Sequence, residues 1–535
     1  MYPAELNCSS SRGQIPSEKG RLMADSAYTG SADTGARAVR SDVGLFLAAF
    51  AVCLLFRLPA LGDLAFWYDE VMTADAIAKS WSGMAWERLS QGHLPTYFAV
   101  LKGFGLSGGS EFMLRLPSAL LDGAAGGLVA VMANRIGGTV SAIAAASLYA
   151  TLPILIIYGQ EARPYALQLL CVALAMQGQI GLLRREGSAP GNARLATLGA
   201  LGSILAIPAG AVIVAMQHLA VLACGGVRKG APERRIWLRH MATTWLIAAL
   251  ALMSLYPSVL FQAGRPEGLM KWQAATSLSV RIKGVLQGTY GFRVPEDLDR
   301  YWPPSFNAAL MWSLFALMAI GLIANRRSLV HRYLAIVAIG TFVAFMGVAA
   351  FTAVTGRYLI GMMPAAVMLA AFGVGALLAN GRARWFALPW LALFGAGLVL
   401  QGLDTLAAPR KYDWRPVARF LHDAGFRQGV VHTDVDVFRR ELGHYVDKAD
   451  TVAFRAISPG ESIDALWRKA SDQPVAWFVV SAWRGSPPMP TSEAVVCTWP
   501  FGKMKVMMVA RDRAGAPDGV RNDLADPRIC TAPAA

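Results

Sequence analysis

Residues 43–70 read VGLFLAAFAVCLLFRLPAL GDLAFWYDE. The run Val43 to Leu61 is apolar apart from Arg57. It comes close to the ~20 residues a helix needs to cross a bilayer. The chain then passes three aromatics, Phe66, Trp67 and Tyr68, and places two adjacent carboxylates, Asp69 and Glu70. Trp and Tyr favour the membrane–water interface. A span that leads straight into an interfacial acidic pair predicts a membrane protein whose chemistry sits at the membrane edge. The first 41 residues are rich in Ser, Gly and Arg and have little to bury. They read as a disordered cytoplasmic tail, with Met23 as an alternative start. The tail lacks the apolar core and small-residue cleavage site of a signal peptide, so Val43 to Leu61 is expected to be a retained anchor.

Composition supports that reading along the whole chain. Of 535 residues, 55% are hydrophobic and 16% charged, with a mean hydropathy of +0.41. Soluble chains carry about a quarter charged residues. The deficit is uneven: residues 404–535 hold 18 Lys and Arg and 16 Asp and Glu, a soluble proportion. We therefore expect a membrane domain over 42–403 and a small soluble α/β domain over 404–535. Six cysteines in this length exclude a disulfide scaffold.

Apolar runs begin near Val43, Leu116, Val140, Tyr165, Leu195, Ala209, Met241, Phe306, Val330, Tyr358 and Trp385. They predict about eleven transmembrane helices, with a break at Pro208. With the tail inside, the inside loops carry Arg135; Arg184, Arg185 and Arg194; Arg228, Lys229, Arg234, Arg235 and Arg239; Arg326, Arg327 and Arg332; Arg382 and Arg384. Basic residues collect in cytoplasmic loops. Much of the net charge of +15 is thus explained by topology, without nucleic acid as a partner. Eleven spans leave the C-terminal domain outside, on the periplasmic face of a bacterial inner membrane. Two long outer segments remain, 62–115 and 262–305.

In the first, Val71 to Gln91 reads as one or two amphipathic interfacial helices. His93-Leu94-Pro95-Thr96-Tyr97 follows, then an apolar run to Lys102 that is too short to span. The second outer turn is Tyr158-Gly159-Gln160-Glu161-Ala162-Arg163-Pro164-Tyr165, and Gly356-Arg357-Tyr358 opens a later span. Asp69, Glu70, Glu161, Arg163 and Arg357 therefore fall at one level on one side of the membrane. A carboxylate there can act as general base on an acceptor hydroxyl. Arginines can hold a phosphate through charge-assisted bonds and carry the charge of a leaving lipid phosphate.

Aromatic-aromatic-Asp-Glu after the first span, His-x-Pro-x-Tyr, Arg-Leu-Pro-Ser (Arg115 to Ser118), Gln-Glu-Ala-Arg-Pro-Tyr and Gly-Arg-Tyr together resemble the bacterial glycosyltransferase family 39. That family groups dolichyl-phosphate-mannose protein mannosyltransferases with the lipid A aminoarabinose transferase and has the GT-C membrane fold. Asp413-Trp414-Arg415-Pro416 resembles its entry into the outer domain. The match covers roughly residues 43–420. The resemblance implies transfer of a sugar, with inversion, from a polyprenyl phosphate to an acceptor at the outer face. The acceptor would be a glycan, a lipid or a protein of the envelope. It assigns Asp69 as catalytic carboxylate, with Glu70 and Glu161 beside it. Arg163, Arg357, Lys102, Arg115, His93, Tyr165 and Tyr358 become candidate contacts to the donor phosphate or the sugar. Some relatives in the superfamily use a divalent cation, for which Asp69, Glu70 and Glu161 are the candidate ligands.

Plainer readings stand beside these. Asp69 and Glu70 also fit a solvated helix cap, Glu161 and Arg163 a structural ion pair, and Arg357 a snorkelling helix end. Asp122 lies inside a span, where an ionisable group is costly, and Arg115 is its nearest cation in sequence. Gly123 to Gly127 suits close helix packing. The basic stretch Met270 to Lys283 suits interfacial anchoring or lipid phosphate. No Walker loop, zinc spacing or serine-hydrolase motif is present. A transporter or flippase of an anionic lipid is the alternative function. It would favour mid-membrane charges and repeated halves, and no repeat is seen. A non-catalytic scaffold is the third reading. In 404–535, Gly429 to Thr433, Val475 to Ser481 and Val506 to Arg511 read as strands, and Val417 to Ala424 and Ser462 to Lys469 as helices. Cys497 and Cys530 are free to pair there or not. Acceptor recognition or cover over the site is the role expected of this domain.

Overall fold

The computed structural model describes residues 41–225, 233–256 and 303–531, less short gaps within the last range, and a few positions between 258 and 285. Nearly all of the expected tail lies outside the described residues, as does most of the second outer segment with its basic stretch. A helix stands at each of the eleven predicted starts. Seven are long and apolar enough to cross a membrane: Glu111–Thr151, Tyr165–Arg184, Arg234–Met253, Ser305–Ala324, Leu329–Phe351, Gly356–Ala379 and Ala383–Ala407. The 41-residue helix Glu111–Thr151 holds two predicted spans and changes course at Gly138. A φ of +78° there is cheap only for glycine. Ser41–Leu55 and Gly210–Ala223 are shorter apolar helices. The break at Pro208 falls between Ala189–Ala206 and Gly210–Ala223.

Small residues bring these helices together, since in lipid it is close packing that drives association. A Cβ on Gly199 would collide with the Ala175 amide nitrogen, and one on Gly373 with the Leu317 carbonyl oxygen. Gly126 and Gly127 seat the long helix against Cys53 and Phe46 in the same way. The intramembrane Asp122 does not pair with Arg115. Its Oδ2 accepts from Arg57 Nε at 2.7 Å, its Oδ1 from the Tyr149 hydroxyl at 3.1 Å. The other Arg57 nitrogens donate to the carbonyls of Ala150 and Tyr149. Arg115 lies seven residues away, about 10 Å along the helix axis, and is engaged elsewhere.

Two further helices in the first outer segment, Tyr68–Ala78 and Trp81–Ser90, match the expected amphipathic pair, and Thr96–Gly103 is the short apolar helix. After the last span comes a mixed six-stranded sheet in the order β2-β1-β3-β5-β4-β6. Its strands are β1 (Gln428–Thr433), β2 (Thr451–Ala456), β3 (Val475–Ser481), β4 (Val495–Phe501), β5 (Met504–Ala510) and β6 (Cys530–Thr531). β1 is parallel to β2 and β3, and the remaining pairs are antiparallel. Helices Trp414–Asp423 and Asp436–Tyr445 cover one face, and Ile463–Lys469 covers the other. Cys497 faces Cys530 across β4 and β6, and the two form a disulfide.

Candidate active site

Asp69 and Glu70 occupy the first turn of the Tyr68–Ala78 helix. Consecutive helical residues diverge by about 100°, so the two carboxylates serve different partners. Glu70 turns inward and is fully buried. Arg115 grips it with Nε on Oε1 and Nη2 on Oε2, both at 2.8 Å. The Ala162 N–H donates to Oε1 at 3.0 Å. The Glu70 carboxylate thus ties the first loop to the second outer turn. The remaining Arg115 donors go to the carbonyls of Leu61, Leu64 and Ala65. Every N–H of its guanidinium is spent on protein.

Asp69 faces the other way, partly open to solvent. Its Oδ2 accepts from Arg357 Nη1 at 2.9 Å and lies 3.7 Å from Arg163 Nη2. Arg163 Nη1 also donates to the Asp69 carbonyl at 3.2 Å. Oδ1 has no protein partner among the described residues. Arg357 lies over the Trp67 and Tyr358 rings, 5.6 and 6.0 Å from their centroids, a cation–π seat that keeps a charged head near an apolar wall. Arg163 is buried, and its Nε has no hydrogen-bond partner among the described residues. Tyr165 packs on Tyr158 at 4.8 Å and lies within electrostatic range of Arg357, Arg163 and Asp69. Glu161 is buried in the same turn, two residues before Arg163.

His93 lies in the field of Arg163, Arg88, Asp69 and Arg357. Burial first, then the Arg163 and Arg88 cations, push its imidazole down to about 3, so it is neutral at ordinary pH. Its backbone N–H donates to the Arg88 carbonyl at 2.8 Å, and its ring lies edge-on to Phe98. Lys102 is placed away from this cluster. Its ammonium donates to the carbonyls of Ile77 and Lys79 at 2.8 and 2.6 Å, at the far end of the Tyr68–Ala78 helix. Eight residues of rise separate Asp69 from Ile77, about 12 Å. Lys102 satisfies a helix C-terminus, where cations are favoured.

Asp69, Glu70 and Glu161 do not fit a divalent cation. Among the described residues no three His, Cys, Asp or Glu side chains come together as ligands, and both Glu70 oxygens are engaged by Arg115. The sequence reading also missed partners of this cluster. Tyr97 bonds to the Ser118 hydroxyl at 2.8 Å, beneath the Arg163 turn. Arg415 Nη1 donates to the Gly62 carbonyl at 3.2 Å, Nη2 donates to that of Asp63, and Nη1 lies 3.8 Å from Glu111. Glu441 and Tyr445, on the Asp436–Tyr445 helix, bond to the backbone at Tyr68 and Phe66. Tyr97 and Ser118 end the His-x-Pro-x-Tyr and Arg-Leu-Pro-Ser motifs, and Arg415 belongs to Asp-Trp-Arg-Pro. Glu441 and Tyr445 lie more than 370 residues from Tyr68 and Phe66, with no local pattern to link them.

No protein-family model and no curated protein matches the chain. Solved structures do match. ArnT from Cupriavidus metallidurans in the apo state is 14% identical, with a TM-score of 0.52, over 91% of this chain and 99% of that one. The same protein bound to undecaprenyl phosphate matches at 14% identity and a TM-score of 0.50, over 89% of this chain and 98% of that one. The expected fold is borne out: this chain is a polytopic helical membrane protein with the GT-C architecture of ArnT, completed by a small C-terminal sheet domain.

Proposed function

We propose that this ArnT-like fold is a membrane glycosyltransferase that moves a sugar from a polyprenyl-phosphate donor to an envelope acceptor, with Asp69 as general base. One observation carries the reading. Asp69 is held through one carboxylate oxygen by two arginines, while its other oxygen takes no hydrogen bond among the described residues. Arg357 and Arg163 orient the carboxylate. Oδ1 accepts the proton of the acceptor hydroxyl as that oxygen attacks the anomeric carbon. The bond from the anomeric carbon to the phosphate oxygen breaks on the opposite side, so the configuration inverts. The lipid phosphate leaves with the bonding pair, and Arg357 and Arg163 stabilise its charge. Glu161 and neutral His93 line the sugar pocket, with Tyr165 and Tyr358 as its aromatic walls. Glu70 positions the turn and does not touch substrate. The site faces the periplasm, with the N-terminus in the cytoplasm. The fold match to an undecaprenyl-phosphate-bound ArnT supports a donor of that lipid class.

The test compares the parent with Asp69→Asn at matched yield in detergent. Each is incubated with lipid extract containing polyprenyl-phosphate sugars and envelope acceptors, and acceptors are read by mass spectrometry. The parent adds a sugar mass, and the variant loses at least about a hundredfold in rate. Equal transfer by both would remove Asp69 as base. Transfer in micelles also separates this reading from lipid movement, which requires a sealed bilayer.

A further inference from the structure

We propose that Glu441, on the C-terminal domain, is a positioning residue for Asp69, so that this domain forms part of the catalytic unit. The inference rests on the reading of Asp69 as base. The first backbone N–H groups of a helix have no partner within it. The N-cap residue usually supplies one from its own side chain. Here the N-cap is Trp67, with no capping hydroxyl or carboxylate. The N–H of Tyr68, the residue before Asp69, donates instead to Glu441 Oε1 at 2.6 Å. Glu441 is itself 6% exposed. Its Oε2 accepts from the buried Trp414 indole N–H at 2.8 Å, which fixes the carboxylate plane against the sheet domain.

One turn further on, the Tyr445 hydroxyl accepts the Phe66 N–H at 2.6 Å and donates to Glu111 Oε1 at 3.0 Å. Burial pushes that hydroxyl's pKa up, so it remains a donor. The same helix grips the far end of Tyr68–Ala78: Arg440 Nε lies 3.2 Å and His444 Nδ1 3.8 Å from Asp75. The helix bearing Asp69 is therefore clamped at both ends by one helix of the soluble domain. The alignment of Asp69 with Arg357 and Arg163 depends on where that clamp sets the first turn. Displacing a reacting group by about 1 Å can cost on the order of a hundredfold in rate.

The experiment uses the full chain in detergent and three variants: Glu441→Ala, Glu441→Gln and Trp414→Phe. Hydrogen–deuterium exchange reads the Phe66 to Val71 amides without reference to activity. We expect Glu441→Ala to speed exchange there about tenfold, with the spanning helices unchanged. In transfer assays kcat should fall about tenfold while KM for the lipid-linked donor holds. Glu441→Gln should recover part of the rate, because its amide oxygen still accepts the Tyr68 N–H. Trp414→Phe, which removes the donor to Oε2 and trims a buried ring, should fall between Glu441→Ala and the parent. Parent-like exchange and rate in Glu441→Ala would overturn the proposal. So would faster exchange across the whole domain with no recovery by Glu441→Gln, since that reports unfolding. Equal transfer by the parent and Asp69→Asn would remove the base itself, and the exchange data would then judge the Glu441 contact separately.

Discussion

At Asp69, two oxygens of one carboxylate have different surroundings, and the proposed chemistry depends on that asymmetry. The Arg357 guanidinium is a planar donor fork seated on Trp67 and Tyr358, a geometry an ammonium does not reproduce. Arg357→Lys should therefore lower kcat/KM by about tenfold or more, read by acceptor mass spectrometry at varied donor concentration. Glu70 and Arg115 behave differently because both are buried. Glu70→Gln strands a desolvated guanidinium and should cost about 3–5 kcal/mol of stability. Replacing both residues with methionine should recover only part of that loss, because the carbonyls of Leu61, Leu64 and Ala65 and the Ala162 N–H then lose their partners. Thermal unfolding in detergent, followed by tryptophan fluorescence, would compare the single and double variants. Recovery without activity would separate the stabilising role of the pair from its positioning role.

Among the elements, the short helices of the first loop carry the site, and their ends are finished by distant side chains. Lys102 caps the C-terminal end of Tyr68–Ala78 through two carbonyls. Lys102→Met should lower stability by about 0.3–1 kcal/mol and leave donor KM near the parent value. A large rise in KM would return Lys102 to the phosphate site. His93, between Trp81–Ser90 and Thr96–Gly103, gives a pH prediction. The unfolded chain binds a proton near the usual 6.5, while the folded site resists until about 3. Between those values the unfolded state holds more protons, so stability falls as pH drops through the window. His93→Gln should flatten that acid-side fall, seen as a smaller decline in unfolding temperature from about pH 7 to about pH 4.

For the molecule as a whole, the membrane bundle and the sheet domain are joined by a polar interface built on Arg415, Arg440, Glu441 and Tyr445. The sheet domain has its own core and its own staple. The disulfide Cys497–Cys530 closes a sequence separation of 33, for which chain entropy gives about 3–4 kcal/mol. Cys497→Ser with Cys530→Ser should lower the unfolding temperature of the sheet domain and leave the far-ultraviolet helical signal of the bundle in place. Reductant should mimic this in the parent. If the clamp on Tyr68–Ala78 matters as argued, transfer should decline together with the sheet domain and before the bundle unfolds.

Much of this was written locally. An apolar run of bilayer length must form a helix, because lipid offers its backbone no other hydrogen-bond partner. A helix accordingly stands at every predicted start, the break at Pro208 is present, and the fall and rise of charge density separate the bundle from the sheet domain. Asp69, Arg163 and Arg357 were legible because charged residues at membrane edges are few. The division of labour among those charges was not. Sequence placed Arg115 and Lys102 with the phosphate contacts and offered Arg115 to Asp122. Folding instead gave Arg115 to Glu70, Lys102 to a helix end and Arg57 to Asp122. It also brought Glu441 to Tyr68 across 373 positions. Burial periodicity is set by nearest neighbours along the chain, whereas the partner of a buried charge is set by which desolvated donors and acceptors the packed helices bring within about 3 Å, and that is decided only when the whole chain is folded.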